Sequence, residues 1–209
     1  MRVTAETKAA TRQRIVEAAQ RLFTTKGFAA STTRDLAEAA GVASGTLFNY
    51  FATKEALLAC LAAEAAASAQ AEFEAGTREG ASVEEELFAF VAAGLRKLRP
   101  LRKDLAVLLE TALSPLAAAP ADEAQSLRVA HLETVARLAR KHQGVELGPV
   151  ALQLYWTLYT GVLMFWANDK SPRQEDTLAL LDSSLAMFVG WLQRATGQNP
   201  SPPGGEGQG

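Results

Sequence analysis

Between Thr32 and Phe51 the chain reads TTRDLAEAAGVASGTLFNYF, and this stretch leaves it little freedom. Thr32 stands three residues before Asp35, the spacing of a capping box. The hydroxyl accepts from a first-turn amide while the carboxylate reaches back to the cap's own N–H. A helix therefore starts here, with Leu36, Ala37 and Ala40 on its apolar face. Gly41 stops it, because glycine takes a positive φ without steric cost. Val42 plugs the junction with a second short helix, Ser44 to about Phe51, in which Leu47 and Phe51 share the inward face. Two short helices about a glycine turn make a helix-turn-helix.

The flanks extend the pattern. A first helix is expected over about Thr11–Lys26, where Ile15, Val16, Ala19, Leu22 and Phe23 form one stripe. Gly27 ends it and Phe28 folds back on the core, leaving Met1 to about Ala10 as a loose arm. Thr53 caps a fourth helix that begins KEALL and continues through alanine-rich turns to about Thr77. The run from Thr11 to Leu58 resembles the DNA-binding domain of TetR/AcrR-type transcriptional regulators. The resemblance covers roughly the first quarter of the chain. It implies a regulator that acts as a homodimeric repressor, with a regulatory domain after the DNA head.

The second helix of such a motif lies in the major groove. Its outward residues here are Ser44, Gly45, Thr46, Phe48, Asn49 and Tyr50. Gly45 permits close approach to the backbone, Thr46 and Tyr50 donate to phosphate oxygens, and Asn49 reads a base edge or a phosphate. Thr32, Thr33 and Arg34 at the start of the preceding helix complete the expected DNA contact. Lys54, at the next helix start, adds a charge where a phosphate would lie. Two residues depart from the family pattern. Ala43 replaces the usual serine cap, and Phe48 replaces a common tyrosine and its phosphate contact.

A net charge of -2 looks unsuited to DNA until the chain is divided. Residues 1–55 hold eight Lys or Arg against five Asp or Glu, a balance of +3. The remaining residues hold thirteen against eighteen, a balance of -5. So modest a basic excess calls for two copies of the head, or for help from helix termini. A rigid dimer reads half-sites about 34–36 Å apart on a near-palindromic double-stranded operator.

No sustained period-two run of β-branched residues occurs, so the expected fold is all-α, about nine helices in all. A helix-turn-helix domain over residues 9–69 precedes a helical ligand-binding and dimerisation domain over 70–196, and a Gly/Pro-rich disordered tail over 197–209. Ser82 and Glu85 make a second capping box, opening a helix with Leu87, Phe88, Val91 and Leu95 buried. Basic residues Arg96, Lys97, Arg99, Arg102 and Lys103 cluster around Pro100. Further helices follow over about Leu101–Leu113 and Ala121–His142.

Leu147–Ala167 contains no charged residue and is long enough to span a bilayer. Gln153, Thr157, Thr160, Pro149 and Gly161 dilute it, so the expectation is an eighth helix buried on two sides, without membrane. After Ser171-Pro172 a ninth helix carries Leu178, Leu181, Leu185, Phe188, Val189 and Leu192 on one stripe. As the resemblance implies, the eighth and ninth helices of two subunits form the dimer interface. Val162, Phe165, Leu181, Leu185, Phe188 and Leu192 are the expected contacts. An unknown small-molecule effector, of apolar character, is expected among the fifth to eighth helices, against Phe88, Leu109, Trp156, Tyr159 and Met164.

An enzyme is not expected. His131 and His142 are the two histidines and lie on different helix faces. No catalytic residues, metal ligands or cofactor motif are found. One cysteine, Cys60, and no apolar signal core at the N-terminus point to a cytoplasmic protein.

Overall fold

The computed structural model describes residues 5–76, 79–110, 122–195 and 197. Among them every regular element is helical: α1 (Ala5–Thr25), α2 (Thr33–Ala39), α3 (Ser44–Tyr50), α4 (Lys54–Ala75), α5 (Val83–Leu98), α6 (Leu105–Leu108), α7 (Asp122–Gln143), α8 (Pro149–Asn168) and α9 (Glu175–Ala195). Short 3-10 turns precede α6 (Arg99–Asp104) and α9 (Pro172–Gln174).

Helices α1 to α3 pack around Ile15, Val16, Phe23, Leu36 and Leu47 to make a small head. The expected capping box opens α2: Thr32 Oγ1 accepts from Asp35 N at 3.1 Å, and Asp35 Oδ2 accepts from Thr32 N at 2.9 Å. Gly41 takes φ +64°, the left-handed stop a side chain would strain. Helix α1 is already formed at Ala5, the first described residue and ahead of the expected Thr11, with no helix breaker between the two.

Helix α4 runs unbroken from the head into the rest of the chain, past the expected boundary at residue 69. It packs on α5, α6 and α7, and the bundle closes with α8 and α9. Ser82 and Glu85 form the second capping box at α5. The expected helix over Leu101–Leu113 begins instead as a 3-10 turn, since Pro100 in its first turn removes a donor. The part of that helix beyond Glu110, and the expected tail beyond Gly197, lie outside the described residues.

Helices α4 and α8 are each long and apolar enough to cross a bilayer. Both serve as core helices here: Leu57, Leu58 and Leu61 of α4 and Tyr155, Trp156, Leu163 and Trp166 of α8 are buried. Part of the basic cluster is paired within the chain. Arg96 and Lys97 pair with Glu72 at 2.7 and 2.9 Å, and Arg102 donates to the backbone carbonyls of Trp166 and Asp169.

Candidate nucleic-acid interface and effector cavity

The exposed face of α3 is built by what the other face must do. Leu47 is 2% exposed and anchors the helix, which turns Phe48 and Asn49 outward, Phe48 at 48%. Ser44 and Gly45 are exposed; Thr46 and Tyr50 are half-buried at the edges. Thr32 and Arg34 are exposed beside them, with Thr33 half-buried. The α3 N-cap is Ala43, with no side-chain hydrogen bond, as the departure at that position predicts. A salt bridge stiffens the entry to α2: Lys26 Nζ stands 2.6 Å from Asp35 Oδ2. The Lys26 bond, with the amide and hydroxyl of Thr32, pulls the Asp35 pKa down to about 2.

Lys54 is turned onto its own chain. Its Nζ donates to the carbonyls of Phe28 at 2.8 Å and Ser31 at 3.1 Å, and lies 4.1 Å from the Phe28 ring centroid. The α1–α2 loop has carbonyls that no helix satisfies, and Lys54 is the nearby donor that reaches them. Arg12 also turns inward, onto Cys60 Sγ at 3.1 Å and over the Phe51 ring. Asp104, ahead of α6, accepts from the Phe28 backbone N–H, and burial there raises its pKa. One loop of the head is thus held by both α4 and the turn before α6.

Between α4, α5, α7 and α8 lies a cavity of about 670 Å³. Its origin is the alanine-rich run of α4. Ala59, Ala62, Ala63, Ala66 and Ala67 line it, and side chains this short leave the space unfilled. Phe90, Leu105, Leu108, His131, Trp156 and Tyr159 contribute the larger walls. Of the five expected pocket residues, Trp156 and Tyr159 line the cavity, while Phe88, Leu109 and Met164 do not. On α5 the buried stripe runs Leu87, Phe90, Val91, Leu95, which rotates Phe88 aside. Leu108 takes the place expected of Leu109, and Met164 is 61% exposed on the far side of α8.

His131 was not among the expected residues, although its position is legible. It falls four residues after Leu127 and four before Val135, on the apolar stripe of α7. Its Nε2 is 2.9 Å from Tyr155 Oη, and its ring stacks on Tyr159 with centroids 4.2 Å apart. Burial pushes its pKa down to about 3, so the imidazole is neutral.

The expected dimer residues divide sharply. Val162, Leu181, Leu185, Phe188 and Leu192 are each at most 4% exposed within the single chain, where α8 and α9 pack on one another and on α5. They are core, because α9 needs its strongest stripe to close its own bundle. Phe165 is 44% exposed. Leu178, expected within the buried stripe, is 37% exposed.

The family described as "Bacterial regulatory proteins, tetR family" matches residues 15–61. The HTH-type transcriptional repressor KstR2 of Rhodococcus jostii is 39% identical over 51 residues, 24% of this chain and 25% of that one. The HTH-type transcriptional repressor AcnR of Corynebacterium efficiens is 45% identical over 56 residues, 27% of this chain and 30% of that one. The chain thus spans under a third of the length of these repressors. Solved structures match far more of it. FadR of Thermus thermophilus, a TetR-family transcriptional repressor in complex with lauroyl-CoA, is 25% identical, covering 93% of this chain and 100% of that one, with a TM-score of 0.67. A TetR transcriptional regulator from Rhodococcus sp. RHA1 is 23% identical, covering 88% and 98%, with a TM-score of 0.65.

Proposed function

We propose that this chain is a TetR-type, ligand-responsive, homodimeric repressor of transcription, a reading supported by the match of that family's model to residues 15–61. It is a regulator, not an enzyme. The observation that carries the reading is the outward face of α3, where Gly45, Thr46, Phe48, Asn49 and Tyr50 surround a helix pinned by Leu47. Asn49 reads bases; Ser44, Thr46, Tyr50, Thr32, Thr33 and Arg34 hold phosphates; Phe48 packs on sugar or a thymine methyl. Lys54 acts by fixing the α1–α2 loop.

The dimer forms through the outer faces of α8 and α9. Thr157, Gly161, Met164, Phe165 and Asn168 recur at helical spacing on one, and Leu178, Asp182, Ser183, Ala186 and Met187 on the other, all exposed in the single chain. Gly161 has open space where a Cβ would stand, room for a partner helix. The effector enters the cavity and favours the conformation whose head spacing misfits the operator. Helix α4, which lines the cavity and carries Lys54, is the lever. The likeness to a repressor holding lauroyl-CoA supports a fatty-acyl or similarly long apolar effector. The protein works in the cytoplasm on double-stranded DNA.

The test is binding to the DNA upstream of its own gene across a salt series, with Asn49→Ala and Tyr50→Ala alongside. Tight, salt-sensitive binding that both variants weaken is expected. Wild-type affinity no better than for random DNA, there and in a genome-wide selection, would end the specific-regulator reading.

A further inference from the structure

The charges around the cavity define what it can hold. Its walls contain no lysine or arginine among the described residues. The sequence from Leu105 to Leu127 contains no lysine, arginine or histidine, so that segment brings no cation wherever it lies. Two arginines stand close by and are engaged elsewhere. Arg128 sits over the Trp156 ring, 5.1 Å from its centroid, and donates to Gln153 Oε1 at 2.8 Å. Arg137 pairs with Glu74 at 3.1 Å, and Glu74 itself lines the cavity as a negative charge.

His131, the one histidine on the wall, is neutral, so it supplies a hydrogen bond and no charge. Apart from Glu74, the other polar side chains on the wall are neutral as well. Gln70 is satisfied by Thr134 and Glu74. The Tyr159 hydroxyl makes no hydrogen bond among the described residues. Trp156 is 1% exposed, and its indole N–H has no partner among the described residues. A carboxylate drawn into such a space would lose its hydration and meet no lysine or arginine on the described walls, where Glu74 adds a like charge, whereas a hydroxyl or carbonyl needs one hydrogen bond.

We propose that the cavity selects an electrically neutral amphiphile: an apolar chain bearing a single hydroxyl or ester-type carbonyl that bonds at the His131, Trp156 and Tyr159 wall. The proposal rests on the reading of this cavity as the effector site. A free fatty acid is excluded from the buried space in its ionised form, and a charged carrier attached to an acyl group stays outside.

The experiment is calorimetric titration of the full chain at pH 8 with decan-1-ol, methyl decanoate and decanoate. The alcohol and the ester are expected to bind at least about a hundredfold more tightly than the anion. Decanoate should gain up to about a hundredfold between pH 8 and pH 6, as its protonated fraction rises. Tyr159→Phe keeps the ring stack and the thermal midpoint but should weaken decan-1-ol about tenfold, one hydrogen bond's worth. Decanoate binding as tightly as the alcohol at pH 8 would overturn neutrality while leaving the effector site standing. Binding of none of the three would overturn the site itself. Unchanged alcohol affinity in Tyr159→Phe would remove that hydroxyl as the polar contact.

Discussion

Lys54 Nζ lies 2.8 Å from the carbonyl oxygen of Phe28 and 4.1 Å from the centroid of the same residue's ring. The side chain at the start of α4 therefore staples the loop that positions α2 and α3. Lys54→Ala should destabilise the protein by about 1–3 kcal/mol, because the Ser31 carbonyl loses its lysine donor and the Phe28 carbonyl is left with the Ser31 N–H. A direct phosphate contact would make the salt slope of operator binding shallower by about 0.9 when removed. The expected result is an unchanged slope with a lower thermal midpoint, and a salt series on the variant decides between them.

The two sides of α9 should answer differently to mutation. Leu185 is 4% exposed and Met187 is 66% exposed. Leu185→Ala should cost about 2–5 kcal/mol of stability, as a core truncation does. Met187→Asp should leave the fold of the single chain intact and shift sedimentation from dimer to monomer. A monomeric wild type would refute the dimer face proposed on α8 and α9.

Acid should weaken the protein through His131. The folded pKa is lowered to about 3 from an ordinary 6.5. Between those values the unfolded chain binds a proton that the folded chain does not. Stability is therefore whole above about pH 6.5 and falls as the pH drops toward 3. From pH 7 to 5 the loss from this residue is about 2 kcal/mol. Denaturant titrations at the two pH values should show it, and His131→Gln should flatten that dependence.

Ala43 leaves the first turn of α3 without a side-chain cap. Ala43→Ser restores one and should add about 1 kcal/mol, or roughly 2–4 °C in Tm for a chain of this size. A Tm that does not rise would mean the serine hydroxyl fails to reach the free amides.

Local chemistry was legible without coordinates wherever a residue acts on its own helix. Thr32 with Asp35, Ser82 with Glu85, Gly41 and Pro149 marked helix ends at the right places, since caps and stops depend on neighbours within four residues. The apolar spacing of Leu47 and Phe51 likewise decided which face of α3 turns outward. What the spacing of α5 left open was rotation: Phe88 and Phe90 both satisfy a helical pattern, and only the packing of α5 against α4, α7 and α9 buries Phe90.

The helix-turn-helix head and the helical plan of the described residues were therefore determined by the sequence, through short-range signals that survive in any context. The tertiary structure alone decided the rest, because each choice depends on which distant group is near. Lys54 finds two carbonyls of the α1–α2 loop within hydrogen-bond reach, so it staples that loop. The long stripe of α9 meets α5 and α8 of its own chain, so it becomes core, and the weaker outer face is left for a partner. The alanines of α4 look like plain helix formers until α7 and α8 pass opposite them, and there their missing bulk becomes the cavity.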